Sequence, residues 1–366
     1  TITADTLTNG RDLGAVQAAV NYGEGFIGAA NQLDLRANTL ANLDGDIFSG
    51  GDLYISGRDG VSRAAVLRNI SGRIQAEGNA TSAANDIDNA RRMLAVDTYT
   101  LSADEAYALS SQRDFDAKYA AMSATDRADY DRIVAKANTK GSSLTAAEKV
   151  RLAEILTQLG WVRVDALSPE MYAVADAELN RIAIAEYGAT SSWMIENPSA
   201  LVRQNDTYTT GQRLNEAQTS AESQIITGGD LTLDSGGVVR NYASRIAAGG
   251  NLTIAGNAFD PNSPDPRIEN IAVAGEYDGN RATTAWIFVP PVKTRYTDGS
   301  GTHETIAEFA ATMDEALTTT GPALADATIT AGKGVFIGAG DVTNGAVIAR
   351  TGLDALGGGG FGGAGS

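Results

Sequence analysis

The chain has 366 residues, including 41 Gly, 8 Pro and no Cys, and its formal net charge is −17. This acidity excludes a protein that binds nucleic acid or an anionic membrane through clustered Lys and Arg side chains, and the lack of Cys excludes disulfides and thiolate chemistry. No run predicts a transmembrane helix and the first residues do not read as a signal peptide, so we expect a mature segment or an excised fragment.

Residues 1–79 carry the first copies of a short repeat. Residues 47–55 (IFSGGDLYI) combine a β-branched strand, a Gly-Gly corner and a second strand in which apolar and polar residues alternate. Residues 67–79 (LRNISGRIQAEGN) are matched by residues 239–251 (VRNYASRIAAGGN). We expect the shared asparagines, Asn69 and Asn241, to be buried at equivalent turns and to stack as a side-chain ladder.

Residues 80–222 depart from the repeat, because Gly becomes rare and Ala, Asp, Glu and Arg dominate. Capping boxes start at Ser102 and Thr145, and a Ser-Pro-Glu start stands at Ser168. These signals predict an inserted, mainly α-helical domain with a short strand at residues 161–164. The predicted helices span residues 84–97, 102–121, 124–138, 145–159 and 169–187.

The predicted helical domain holds most of the aromatic side chains. We expect most of them to fill its core and a subset to be exposed as anchors for a partner, because Trp and Tyr dominate the energetics of protein interfaces. The candidate receptor-binding residues are Trp161, Tyr172, Trp193 and Tyr208, of which the last two are the better candidates because they lie outside the strong helices.

The repeat is clearest in residues 223–256. There IITGGDLTL is followed by IAAGGNLTI at an offset of about 21 residues, which is typical of a solenoid. A unit this short cannot bury its apolar face alone, so the pattern predicts stacked coils. The side chains expected to point inward include Ile74, Leu231, Ile246 and Leu252.

The remaining residues predict a second insertion, after which the repeat returns. Residues 257–326 predict a smaller α+β insertion, with strands at 271–273 and 286–289 and one helix at 304–317. Coils return over residues 327–356, and the Gly-rich residues 357–366 predict a linker or tag. The predicted fold class is therefore an all-β solenoid with a large, mainly α-helical insertion at 80–222 and a smaller α+β insertion.

The repeat resembles the haemagglutinin repeat of filamentous haemagglutinin-like exoproteins, which Gram-negative bacteria export by two-partner secretion. The likeness rests on the pattern Leu-x-Asn-x-x-Gly/Ser-x-Ile-x-Ala-Gly-Gly-Asp/Asn-Leu-x-Ile in residues 40–79, 223–256 and 327–350. Ser49 to Leu53 followed by residues 66–79 is more similar still to contact-dependent growth inhibition exoproteins.

This resemblance implies a right-handed parallel β-helix in a secreted protein at the surface of a Gram-negative bacterium. It implies a non-enzymatic receptor-recognition and adhesion segment, whose inserted region binds an outer-membrane protein or lipopolysaccharide of a target cell. It also implies passage through an outer-membrane two-partner secretion transporter. We expect a monomer without a cofactor.

Two alternatives remain open, a β-helical polysaccharide-degrading enzyme and a purely structural spacer. Such enzymes resemble one another in Asn-Thr-Asp, Asp-Asp and Gly-His-Gly motifs, and none of these occurs in the sequence. The only histidine, His303, stands outside any motif. The pairs Asp44/Asp46 and Asp86/Asp88 lack the spaced loop of oxygens that a calcium site requires, so we predict neither a metal site nor a catalytic residue.

Overall fold

The computed structural model describes residues 1–10, 25–137, 139, 144–187, 194–196, 199–256, 263–349 and 352–355. The chain divides into two compact units. The stacked unit, as we call it, is built from the described parts of Thr1–Tyr99, Gly211–Glu276 and Thr320–Ser366. The helix-bearing unit consists of the described parts of Thr100–Thr210 and Tyr277–Thr319.

The stacked unit is made of short strands that follow the repeat. Its first part contains β1 (Ile2–Gly10), β2 (Phe26–Ala29), β3 (Leu33–Leu43), β4 (Asp46–Ser49), β5 (Leu53–Ser56), β6 (Ala64–Ile70), β7 (Arg73–Ala76), β8 (Ala80–Ala90) and β9 (Met93–Thr100). Its later strands, numbered after those of the helix-bearing unit, are β13 (Gln224–Thr227), β14 (Leu231–Asp234), β15 (Val238–Tyr242), β16 (Arg245–Ala248), β17 (Leu252–Ala255), β20 (Thr328–Ala331), β21 (Val335–Ile337), β22 (Asp341–Ile348) and β23 (Gly352–Ala355).

Equivalent strands of successive repeats lie side by side, parallel and in register, so each repeat is one rung of the stack. In the six-stranded sheet one row of isoleucines passes through Ile27, Ile47, Ile74, Ile225, Ile246 and Ile329. Ile74 and Ile246 on this row, and Leu231 and Leu252 on the adjoining sheet, are buried in the main apolar core. Burial of one such side chain stabilises the fold by roughly 1.5–3 kcal/mol.

A continuous asparagine ladder runs along the stack. Each side-chain Nδ2 donates to the Oδ1 of the next asparagine over 2.7 to 2.8 Å. The second Nδ2 proton caps a turn carbonyl, as when Asn69 donates to the Gln224 oxygen at 2.9 Å and Asn241 to the Ser244 oxygen at 2.8 Å. The ladder consists of Asn9, Asn42, Asn69, Asn89, Asn241, Asn270 and Asn344.

A sharp bend follows the ladder asparagine in three rungs. Asp44, Ser71 and Ala243 each stand two residues after it and adopt φ values of 51°, 48° and 46°. A single left-handed residue turns the backbone abruptly, at a cost of roughly 1–2 kcal/mol when the residue carries a Cβ. The bend directs the chain from one sheet into the other.

The helix-bearing unit combines helices with antiparallel strands. Its elements within residues 100–214 are α1 (Ala103–Leu109), α2 (Ser111–Ala121), α3 (Ala124–Ala137), α4 (Ala146–Gln158), β10 (Val162–Val164), α5 (Pro169–Tyr187), β11 (Met194–Glu196) and β12 (Ala200–Leu214). The long strands β18 (Arg267–Asp298) and β19 (Gly301–Ala325) contribute residues to both units. Both predicted capping boxes are formed, at Ser102 and Thr145.

Two apolar clusters hold the helix-bearing unit together. Met171, Ala175 and Leu179, spaced four residues apart on α5, pack with strand residues that include Ile287 and Phe309. A second cluster joins α3 and α4 to β12 through Ile133, Leu144, Leu152, Leu156 and Leu201. The spacing on α5 puts these side chains on one face, which is how a helix covers a sheet.

The predicted fold class, an all-β solenoid with a large, mainly α-helical insertion and a smaller α+β insertion, is wrong. The chain is mixed α/β, with 53% of its residues in strands and five helices in its described part. Residues 84–97, predicted to be a helix, belong to β8 and β9, so the segment 80–222 starts in strands and also contains the 15-residue strand β12.

The smaller insertion was also predicted with the wrong structure. The predicted helix 304–317 lies within β19, and the two predicted short strands belong to β18. In β19 Phe309 and Ala311 are buried while Ala310 and Thr312 are exposed. This alternation has the period of a strand, which outweighs the helix propensity of the Ala and Glu residues.

Candidate functional site

An open cleft of about 400 Å³ lies within the helix-bearing unit. One wall is α2, and the other is formed by β10 and β12 together with the turn that ends α4. The lining residues are Ser111, Asp114, Phe115, Lys118, Leu159, Gly160, Val162, Val164, Val202, Arg203 and Gln204.

The apolar part of the cleft follows from the local pairing of two strands. Val162 and Val164 are two residues apart on β10, so their side chains leave the same face. Val162 pairs with Val202 in the antiparallel register of β10 and β12. Val162 is 62% exposed, which leaves a large apolar side chain uncovered at the cleft.

Arg203 is the central cation of the cleft. Its guanidinium carbon lies 4.2 Å from the centre of the Phe115 ring, the geometry of a cation–π contact. Burial lowers the pKa of Arg203 from its usual value, although an arginine remains protonated at any physiological pH. Its hydrogen bonds are long, at 3.4 Å to the side-chain oxygens of Gln112 and Asn205.

Lys118 is the second cation, one helical turn after Phe115 on α2. Gly160 has a φ of 95° and ends α4, and a Cβ at this residue would lie only 2.8 Å from the Lys118 Nζ. The left-handed turn favours a glycine here, whereas the Lys118 amine stands at the end of a flexible side chain and can move away from a Cβ. Within the described residues neither Lys118 nor Arg203 forms an ion pair with a carboxylate.

Asp116, a carboxylate whose charge acts on Arg203, is already engaged by other groups. Asp116 accepts hydrogen bonds from the Tyr107 hydroxyl at 2.8 Å and from the Gln112 Nε2 at 2.7 Å. The first of these bonds raises the pKa of Tyr107. Asp114, which lines the cleft, is 3.8 Å from the exposed Arg113 guanidinium, so its charge is only weakly compensated.

The structure places the predicted receptor-binding aromatics in separate packing environments. Trp161 is half-buried, 6.2 Å from the Trp286 ring, and its indole N–H makes no hydrogen bond within the described residues. Tyr172 is half-buried against the α5 cluster, and Tyr208 stacks edge-on against Tyr277 at 6.2 Å. Trp193 lies outside the described residues.

The cleft residues Phe115, Lys118 and Arg203 were not predicted. Phe115 and Lys118 could have been paired by their helical spacing, but Arg203 comes from a strand about 90 residues later in the sequence and no motif links it to them. Further apolar side chains are exposed on the helix-bearing unit outside the cleft. They are Tyr107, Leu109, Val150 and Ile184.

The acidic pairs considered as calcium ligands have other partners. Asp44 accepts a hydrogen bond from Arg92, and the Asp86 Oδ1 accepts one from the Val238 N–H at 3.0 Å. Burial raises the pKa of Asp88, with Arg240 and Arg68 acting in the opposite direction. No three His, Asp or Glu side chains of the described residues are grouped so that they could hold a metal ion.

His303 hydrogen-bonds to the Ser300 hydroxyl through Nε2 at 2.9 Å. Among the described helices none has the length and apolar character needed to span a membrane. Comparison of the chain with protein-family models, with curated proteins and with solved structures finds no match.

Proposed function

We propose that the chain is a receptor-recognition and adhesion segment of a secreted Gram-negative exoprotein, which contacts an outer-membrane receptor of target bacteria in contact-dependent growth inhibition. The observation that carries this proposal is the open cleft of the helix-bearing unit, where the exposed Val162 and the partly buried Val164 and Val202 stand with two cations that have no carboxylate partner among the described residues. Apolar anchors combined with Arg are the composition of interface hot spots. The resemblance of the repeat to haemagglutinin repeats supports the cellular setting.

The two units differ in how they use their polar side chains. In the stacked unit the asparagine ladder satisfies its amides internally, which is typical of a scaffold. In the helix-bearing unit Arg203 and Lys118 keep hydrogen-bonding capacity that the described residues do not use. We therefore place recognition in the helix-bearing unit.

The test is saturable binding of the labelled full chain to intact Gram-negative cells. Val162→Asp puts a carboxylate in the cleft, and Val61→Asp is the matched control, because Val61 is 73% exposed in the stacked unit. We expect Val162→Asp to weaken binding by about tenfold or more and Val61→Asp to leave it unchanged. Circular dichroism checks that both variants keep their secondary structure.

Equal binding by the two variants would contradict recognition through the cleft. A wild-type chain that binds no cell of a broad Gram-negative panel would contradict the proposed function itself.

A further inference from the structure

The two cleft cations have no carboxylate partner among the described residues, in a chain that carries 45 Asp and Glu against 28 Lys and Arg. Several other arginines of the helix-bearing unit are paired with carboxylates. Arg151 binds Asp126 and Asp129, and Arg281 binds both oxygens of Asp206 at 2.7 and 2.8 Å. With acids in such excess, two neighbouring cations that pair with none of the described carboxylates point to an anion that comes from outside the chain.

The stacking of Arg203 on Phe115 prepares it to receive such an anion. The ring holds the planar guanidinium in one orientation, so a ligand does not have to order it. A guanidinium has five N–H donors, and Arg203 makes only long bonds to two neutral oxygens among the described residues. Partial burial also strengthens any charge-assisted hydrogen bond that it forms.

The aliphatic lining residues determine which chemical group the ligand carries beside its negative charge. Val162, Val164 and Val202 present aliphatic surface at the lining, where Leu159 is buried. A ligand that fills the cleft therefore joins an anionic group to a branched apolar group. Burial of an aliphatic side chain there adds the free energy that a single exposed ion pair lacks.

We propose that the cleft binds a carboxylate carried next to a branched apolar side chain on a protein partner. This inference deepens the proposed function. It rests on that function for one point, namely that the carboxylate belongs to a protein. Arg203 binds the carboxylate as a planar fork, Lys118 adds a point charge, and the aliphatic residues cover the apolar group.

A phosphate fits this cleft less well than a carboxylate. Its second negative charge is costly to bury beside aliphatic side chains. Asp114 at the lining adds a repulsion that doubles for a dianion. The cleft thus favours a planar monoanion.

The experiment is a titration of the full chain, with ¹³C-labelled Val and Leu methyl groups, followed by NMR. The probe is N-acetyl-leucine, and N-acetyl-leucinamide is the matched ligand that lacks the charge. We expect saturable shifts of the Leu159, Val162, Val164 and Val202 methyl signals with N-acetyl-leucine, and binding that is about tenfold weaker with the amide.

Three variants with exposed sites of substitution test the role of charge. Lys118→Gln should weaken binding of N-acetyl-leucine roughly threefold, and Asp114→Asn should strengthen it by a similar factor. Lys333→Gln is the control, because Lys333 is an exposed lysine of the stacked unit and does not line the cleft. It removes the same charge and should leave binding unchanged.

Several results would overturn the inference. They are equal binding of the acid and the amide, no effect of Lys118→Gln, weaker binding by Asp114→Asn, or absence of methyl shifts. Tighter binding of inorganic phosphate at the same methyl groups would replace the carboxylate site with a phosphate site. Because this titration uses no cells, its outcome is separate from that of the cell-binding test. If the chain binds N-acetyl-leucine but Val162→Asp does not change its binding to cells, recognition through the cleft is refuted and the carboxylate site stands.

Discussion

Asp44 shows how burial at the bend of a rung changes the pKa of a carboxyl group. It adopts a left-handed φ, is buried, and accepts a hydrogen bond from Arg92 through Oδ2. Its Oδ1 makes no hydrogen bond within the described residues. Burial raises the pKa of Asp44 to about 6, since the loss of hydration outweighs the opposing charge and hydrogen bond of Arg92.

This pKa gives stability a dependence on pH that can be measured. The folded state holds the proton more tightly than the unfolded state does, so Asp44 contributes stability below about pH 4 that is lost as the pH rises through about 6. Asp44→Asn should remove this contribution. We expect the wild type to lose about 1–2 kcal/mol more than the variant between pH 4 and 7 in urea unfolding. Parallel pH profiles of the two proteins would contradict the assignment.

The asparagine ladder also shows what single residues reveal in the sequence. The ladder positions of Asn69 and Asn241 were predicted because the sequences around them, residues 67–79 and 239–251, match. Asn89 was not, since its Ala- and Asp-rich surroundings favour a helix when taken alone. Its place in the ladder depends on its neighbours in the stack, Asn69 and Asn241, and the second of these is 152 residues away.

At the scale of the element, the corners of the rungs depend on the absence of a side chain. A Cβ at Gly228 would lie 2.2 Å from the Glu77 carbonyl oxygen, and one at Gly249 would lie 2.2 Å from that of Gly228. Both atoms belong to the backbone of the preceding rung, so neither can move without separating two strands. The Gly-Gly corner therefore sets how closely rungs can stack.

Gly249→Ala should destabilise the chain by roughly 2 kcal/mol or more, because the new methyl group forces two rungs apart. Gly345→Ala is the control on β22, since nothing lies within 4 Å of its added Cβ. That substitution should be neutral or slightly stabilising, because alanine loses less backbone entropy than glycine. Thermal unfolding distinguishes the two, and equal melting temperatures would show that the corners can relax.

Elements with local signals were predicted well, and elements defined by distant pairing were not. The capping boxes located the starts of α1 and α4, and the Ser-Pro-Glu signal located α5. The strand β9 has no such signal, and its partners β12 and β23 are remote in sequence. The strand β19 also lacks one, although its neighbour β18 directly precedes it. The cleft combines Phe115 on α2, Val162 on β10 and Arg203 on β12, so only the folded chain reveals it.

At the scale of the whole molecule, the chain leaves the stack and later returns to it, so its later strands must pair with strands that precede the excursion. The rung that contains β7 and β8 ends with β8, and β14 and β15 pair with that same strand after more than a hundred residues. Several side-chain links span the excursion, among them two that join buried side chains. One is the Asn89–Asn241 bond, and the other is the buried ion pair of Arg63 with Asp234 at 2.9 Å.

Asn89→Ala should lower the free energy of unfolding by about 1–3 kcal/mol, because it leaves the Nδ2 of Asn69, the Oδ1 of Asn241 and turn carbonyls without a buried partner. Asn38→Ala is the control, since Asn38 is exposed and its one hydrogen bond to Asp5 is 3.4 Å long. Urea unfolding of both variants checks this expectation. A loss for Asn38→Ala as large as that for Asn89→Ala would refute a special role for the ladder.

The ladder also has a direction. From Asn9 to Asn344 each amide donates toward the following rung, so the N–H of every member points toward the last rung and the C=O toward the first. Each amide dipole is about 3.5 D, and seven of them aligned head to tail add as they do along an α-helix. The stack is therefore an electric dipole, positive at the Asn344 end and negative at the Asn9 end. Its two ends present different potentials to any charged surface that approaches them.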